Sequence, residues 1–393
     1  MFDEDSYIRS FDAVVTACRP KGEYFLAALD RTAFYPEGGG QPGDTGMLFL
    51  TQDGSGNANG GLKVLDTIER EGEIFHKLES PVDVGTRVHG EIDWDRRFSL
   101  MQNHSGEHIV SGLIHETFGY ENVGFHMGET IQVDYSGMLS DEEIREVERK
   151  ANEIIWTNQP VIITYPSEEE RENIPYRSKK ELSGTVRIVT VLNADICACC
   201  GTHVKTAGEV GLIKIISHEK HKGGIRMELL CGRRAFDYVC MLHDQNHDIT
   251  VRLCTPMNQT AEGTRKLEET MQEKSRHLAE MTALYLQDRA EKLEKSELVI
   301  DVLKGIDRNS MRRYADDLVK VKGCGTAAVL NRSDNGPFEY VIITSKDIGL
   351  RKLAKDLNGK LQGRGGGSDE MIQGTFSASE EEIRLVLQEI FAA

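Results

Sequence analysis

His104-Ser105-Gly106-Glu107-His108 and, about ninety residues on, Cys199-Cys200-Gly201-Thr202-His203 are the two stretches whose joint reading decides the architecture. Histidines four apart on a helix lie on one face, one turn apart, so their ring nitrogens can converge on one small cation. Cys199 and His203 repeat that spacing and close the set. One thiolate with three imidazoles suits Zn²⁺ better than Mg²⁺ or Ca²⁺. Either pair alone is weak, because a chain with 12 histidines produces such a spacing by chance. Together they predict a zinc site at His104, His108, Cys199 and His203.

Working outward, 393 residues with 39% hydrophobic content make a chain long enough for two or three domains with separate cores. No apolar run approaches the roughly 20 residues needed to span a bilayer, and the acidic start Met1-Phe2-Asp3-Glu4-Asp5 is unlike a signal peptide. The expectation is a cytoplasmic protein with no membrane partner. Reduced cysteines follow from that compartment, and the cluster Cys197, Cys199 and Cys200 points to metal rather than disulfides. Cys18, Cys231, Cys240, Cys254 and Cys324 read as small buried hydrophobes. A net charge of −17 argues against broad, non-specific affinity for nucleic acid. Any nucleic-acid partner must then be met by local basic faces: Arg96-Arg97, Lys214 to Arg234, or Lys352 to Arg364.

The fold class expected is α+β. Residues 1–95 read as a small β-barrel, with short runs such as Tyr24 to Leu29 and Met47 to Leu50 separated by Gly, Asn and Asp clusters. Inside them, Gly38, Gly39, Gly40, Gly43 and Gly46 call for positive φ or close approach of another chain. No Gly-Lys-Ser/Thr follows, so this is not a nucleotide P-loop. Residues 96–245 read as a central α+β zinc-containing domain. Asp95 is the expected cap of the helix carrying both histidines, and Ser140 with Glu143 forms a capping box for a second helix with an apolar stripe at Ile144, Val147, Ala151, Ile154 and Ile155. Residues 255–296 read as a long helix whose Leu267, Met271, Leu278, Met281 and Tyr285 form a partial heptad, hence a coiled coil within one chain or between two. Residues 297–393 alternate strands and helices as an α/β domain, with Gly363 to Asp369 as a glycine-rich turn that could admit a phosphate backbone to the main chain.

The phrase Phe34-Tyr35-Pro36-Glu37-Gly38-Gly39-Gly40-Gln41-Pro42-Gly43-Asp44-Thr45-Gly46, followed by Arg96-Arg97, His104, His108 and the Cys199-x-Gly201-Thr202-His203 segment, strongly resembles the editing region of alanyl-tRNA synthetases. It resembles still more closely the AlaX family of alanyl-tRNA editing proteins, over roughly residues 20 to 240. The C-terminal segment resembles the DHH-associated domain of the synthetases and of the longer AlaX proteins. Only some twenty residues precede that block, so the expectation is a chain without an aminoacylation core.

The resemblance implies ATP-independent hydrolysis of mischarged tRNA(Ala), chiefly seryl-tRNA(Ala), with glycyl-tRNA(Ala) as a second candidate. A synthetic pocket rejects a smaller or hydroxyl-bearing analogue by little more than about 10²-fold, so a hydrolytic site must supply the rest. It further implies roles for His104 and His108 in catalysis and an amino-acid and acceptor-end pocket at Gly38, Gly39, Gly40, Gln41, His126 and Thr202. Glu107 departs from the usual family residue beside the second histidine and stands as a further catalytic candidate, while the basic faces and the C-terminal glycine turn give Arg226, Arg233, Arg364, Gly365 and Gly366 as expected tRNA contacts. A homodimer would form through the long helix and C-terminal domain. Two alternatives stand beside this reading. One is a tRNA-binding module in which zinc is purely structural. The other is an inverted-motif zinc peptidase, since His104 to His108 also satisfies H-x-x-E-H, with Glu107 as base and Glu181 as third ligand.

Overall fold

The computed structural model describes residues 1–51, 61–178, 184–332 and 336–391, in two compact units, Met1–Asn246 and His247–Ala393. The first begins with a closed barrel of β1 (Ser10–Lys21), β2 (Tyr24–Leu29), β3 (Gly46–Leu50), β4 (Gly61–Arg70), β5 (Glu73–Leu78) and β6 (Arg87–Ile92), in the order β1-β2-β5-β4-β3-β6. Alternation along β1 turns Phe11, Ala13 and Val15 inward, where they meet Leu48, Val64, Leu78 and Val88. The expected barrel is therefore present.

The helix α1 (Trp94–Phe118) leaves the barrel and is enclosed on every side from Leu100 to Ile114. Around it lie the sheet β12-β13-β8-β7, built from β7 (Asn122–Met127), β8 (Ile131–Tyr135), β12 (Ile213–His221) and β13 (Gly224–Cys231), and the helix α2 (Asp141–Thr157). The N-cap of α1 is Asp93, not Asp95. Asp93 accepts from Arg96 N at 3.1 Å, and Asp95 instead places its charge in the first turn, against the helix dipole. The predicted capping box on α2 is formed: Glu143 N donates to Ser140 Oγ at 3.3 Å, and Ser140 N donates to Glu143 Oε2 at 2.7 Å. Three short strands complete the unit, β9 (Val161–Thr164), β10 (Ile188–Val191) and β11 (Asp195–Ala198), ordered β11-β10-β9, with one turn of helix, α3 (Glu168–Arg171), between the first two.

Arg97 couples the barrel to α1. Its side chain is wholly buried: Nε donates to both Asp44 carboxylate oxygens at 2.9 Å, Nη1 to Ser6 O at 2.8 Å and Nη2 to Ala33 O at 2.7 Å. This corrects the sequence expectation that Arg96-Arg97 offers a basic face, since the second arginine is neutralised by a carboxylate ten places beyond the start of the glycine phrase. Cys254 is likewise exposed rather than buried, whereas Cys231 and Cys324 are buried as expected.

The helix α4 (Arg233–Leu253) leads out of the first unit, and the second contains α5 (Thr260–Lys292) and a five-stranded sheet, β14-β15-β16-β18-β17. Its strands are β14 (Leu298–Lys304), β15 (Thr326–Arg332), β16 (Phe338–Thr344), β17 (Arg364–Gly367) and β18 (Met371–Phe376). β14 and β15 are parallel, the other pairs antiparallel. The helix α6 (Arg308–Lys320) covers one face with the end of α5, and α7 (Leu350–Lys360) and α8 (Glu380–Phe391) cover the other. The heptad residues of α5 are 48% to 68% exposed and Leu286 is buried, so among the described residues no second strand of a coil covers them. Among the described residues no helix is long and apolar enough to cross a membrane.

His76 is buried inside the barrel, with Nε2 2.9 Å from Thr32 Oγ1 and Nδ1 3.1 Å from Ala27 O. Burial pushes its pKa from 6.5 down to about 4. The folded chain therefore keeps this ring neutral, and stability is lost as pH falls from the unfolded value towards the folded one. The loss should approach about 3 kcal/mol. Unfolding midpoints measured between pH 7 and pH 4 should fall less steeply in His76→Gln than in the parent.

Candidate metal centre

The four residues singled out by spacing come together. One ligand atom from each of His104, His108, Cys199 and His203 lies within 4.8 Å of all the others. Cys199 Sγ stands 3.4 Å from His104 Nε2 and 3.4 Å from His203 Nε2. Tetrahedral zinc, with bonds of about 2.3 Å to sulfur and about 2.0 Å to nitrogen, has a sulfur-to-nitrogen edge of roughly 3.5 Å. The donor set and its spacing therefore fit zinc.

Each imidazole is turned by a partner at Nδ1. His104 Nδ1 is 2.8 Å from Gln41 Oε1, His108 Nδ1 is 2.8 Å from Asp195 Oδ2, and His203 Nδ1 is 3.1 Å from Ser105 Oγ. With Nδ1 engaged, Nε2 is left as the ligand atom on all three rings, the arrangement that carboxylate or amide partners impose around zinc. Burial alone would raise the Cys199 thiol, but the His104, His203 and His108 imidazoles outweigh it and hold its pKa well below the ordinary value. Burial likewise opposes a charge on His108, yet Cys199 and Asp195 outweigh it and raise this ring well above 6.5. His203 is pushed by burial down to about 3.

The loops are shaped by glycine at two points. A Cβ on Gly201 would stand 2.1 Å from His104 Cε1, so this residue lets the Cys199 loop lie flat on the imidazole. Gly39 and Gly40 have φ of +58° and +86°, and form the two-residue turn between Gly38 and Gln41. A Cβ on Gly40 would meet Phe125 Cδ1 at 2.4 Å. Phe125, which the sequence reading did not single out, stacks on His104 with centroids 5.5 Å apart. Its neighbour His126 is exposed. The three imidazoles are buried, Cys199 is half-buried, and Gly39 and Gly40 are exposed, so the set is approached from the side of the glycine turn.

Gln41 is fully buried: besides facing His104 it donates from Nε2 to Thr202 Oγ1 at 2.8 Å and accepts from Thr202 N at 3.2 Å. It thereby ties the barrel to the ligand loop. Glu107 is buried but not among the converging donors. Its Oε1 accepts from Ser111 Oγ at 2.5 Å and Asn122 Nδ2 at 2.6 Å, and Ser111 in turn meets Tyr135. Cys197 stands with His108 and Asp195 instead of with the four donors, and burial pushes its thiol up to about 11. Glu181 lies outside the described residues.

The residues expected to meet tRNA belong to both units, Arg226 and Arg233 to the first and Arg364, Gly365 and Gly366 to the second. Arg226 is committed to Asp134 by two bonds of 2.7 and 2.9 Å, and Lys214 to Glu148 at 2.7 Å. Arg233 is exposed, 3.7 Å from Asp237. Arg364, Gly365 and Gly366 form the exposed strand β17, where a Cβ on Gly365 would collide with Gln373 O at 2.3 Å.

Three family models match: "tRNA synthetases class II (A)" over residues 11–96, "Threonyl and Alanyl tRNA synthetase second additional domain" over 186–228, and "DHHA1 domain" over 295–393. The chain is 30% identical over 409 residues to the alanyl-tRNA editing protein AlaX-L of Pyrococcus horikoshii, covering 98% of this chain and 96% of that protein. It is 29% identical over 413 residues to the alanine–tRNA ligase of Pyrococcus abyssi, and 30% identical over 384 to that of Sulfurisphaera tokodaii. These alignments cover 99% and 93% of this chain, but only 43% and 41% of the ligases.

The donor set predicts one zinc per chain by elemental analysis. Uptake should release protons near pH 7 and weaken as pH falls, because Cys199 and the imidazoles bind metal only when deprotonated. Cys199→Ser and His203→Ala should each lower the zinc content and the affinity measured by chelator competition.

Proposed function

Because the chain belongs to the AlaX-L family of alanyl-tRNA editing proteins, we propose that it is an ester hydrolase that deacylates mischarged tRNA(Ala), chiefly seryl-tRNA(Ala), with glycyl-tRNA(Ala) as a second substrate. The observation that carries this reading is the convergence of His104, His108, Cys199 and His203 beside an exposed glycine turn. His104, His108, Cys199 and His203 would hold the zinc, which would supply Lewis acidity towards the amino, hydroxyl or ester group of the aminoacyl end.

The rest of the work falls to the chain. Gly38, Gly39 and Gly40 present backbone without side chains, so the 3′ end of an acceptor strand can lie against the turn. Phe125 and the His104 ring give that approach an apolar wall. Gln41 keeps His104 and Thr202 in register, and so acts on the amino acid through them. Thr202 Oγ1 already accepts from Gln41, which leaves its own proton to offer to a seryl hydroxyl. Alanine would leave that buried hydroxyl unpaired. Glu107, bound to Ser111 one turn on and to Asn122 of β7, ties the histidine-bearing helix to the neighbouring strand, which is a positioning role. Contacts to the rest of the tRNA fall to Arg233 and Arg364, whose side chains are exposed, more than to Arg226, whose guanidinium is held by Asp134.

One observation favours a second reading. Four protein ligands make a closed tetrahedral set, which is the structural type of zinc site, and the protein would then hold charged tRNA without cleaving it.

A deacylation time course on preformed seryl-tRNA(Ala), with alanyl-tRNA(Ala) as control, separates the two. The expected result is release of serine with alanyl-tRNA(Ala) spared, and loss of turnover in His108→Ala. Thr202→Val should lower kcat/KM for the seryl substrate by about tenfold to a hundredfold. Binding of both tRNAs without release of either amino acid would leave the structural-zinc reading in place.

A further inference from the structure

Arg177 belongs to none of the motifs singled out in the sequence, yet it is fastened at two points beside the ligand set. Its backbone bridges the free edge of β11: Arg177 N donates to Ile196 O at 2.8 Å, and Ala198 N donates to Arg177 O at 2.9 Å. Its side chain folds back onto Asp195, the first residue of that strand. Nε donates to Oδ1 at 2.8 Å and Nη2 to Oδ2 at 2.9 Å. Asp195 Oδ2 also meets His108 Nδ1 at 2.8 Å. A continuous line therefore runs from the guanidinium through a buried carboxylate to a ring whose other nitrogen belongs to the donor set.

We propose that Arg177 is a positioning residue of the metal centre. By taking both oxygens of Asp195 in a fork, it fixes the plane of the carboxylate, and with it the rotation of the His108 ring and the proton on Nδ1. Nε2 is then kept as the ligand atom. The inference rests on the reading of the four donors as a metal site. A lysine could not reproduce the fork, because a single ammonium has no planar pair of donors.

The grouping of His108, Asp195 and Cys197 could also be read as a second cation site. The fixed positive charge of Arg177 on both Asp195 oxygens argues against that reading and for the carboxylate as a partner of the ring. Arg177 also lines a cavity of about 720 Å³, with His115, Tyr176 and Asn193 on its wall. A small cation can therefore reach the place that a truncated Arg177 would vacate.

The test is the zinc dissociation constant of the full chain by chelator competition, together with the thiolate-to-metal absorption band of the Co²⁺-loaded protein. Arg177→Ala should weaken zinc binding by about tenfold to a hundredfold and shift the Co²⁺ band at equal saturation. Millimolar guanidinium should restore both, and Arg177→Lys should recover only part. Asp195→Asn should show a similar loss, and the double variant no further loss, because both act through one ring. If Arg177→Ala does not fold, Arg177→Lys and Asp195→Asn carry the measurement. A folded Arg177 variant with unchanged affinity and band, or additive losses in the double variant, would overturn the inference while leaving the zinc reading intact. A parent chain that takes up no zinc would overturn both.

Discussion

Three imidazoles have to present the same nitrogen to one point, and the fold satisfies this constraint by giving every one of them a different partner at the other nitrogen. Gln41 comes from the barrel, Ser105 from the helix itself and Asp195 from the short strand that leads to Cys199. The centre is thus a place where three separate parts of the first unit must be correctly placed at once. That requirement explains the burial of polar groups along α1. A helix with one wet face would have left these rings free to rotate.

Much of this was legible in sequence, and the reason is geometric. The i, i+4 spacing of His104 with His108 and of Cys199 with His203 is a local property, so the ligand set could be read without knowing the fold. The barrel, the capping box at Ser140 and the alternation of the C-terminal unit are local too. What stayed hidden depends on distant pairing. Arg97 looks like half of a basic doublet until Asp44 is found against it. Phe125 looks like an ordinary strand residue until Gly40 and His104 close on it, and Arg177 has no signature at all because its role is defined by a strand eighteen residues away. The cap of α1 was misplaced by two residues because two aspartates compete for the position, and only one of them reaches the backbone N–H of Arg96.

Electrostatics adds a second lesson. The net charge of −17 leaves recognition of a polyanion to local groups, and two basic residues of the expected face, Arg226 and Lys214, are already paired with Asp134 and Glu148. These pairs contribute to the scaffold rather than to an open positive surface. Arg233 and Arg364 keep their charges exposed, on α4 and β17 respectively.

The loop at Gly201 sets a boundary on how such a centre could diversify. Because any side chain there would run into the His104 ring, the nearest position of the ligand loop is closed to variation. Lineages that changed their preferred amino acid would have had to do so through the residue after it or through the opposing barrel turn, so the history of selectivity in this architecture should be written in those flanking positions.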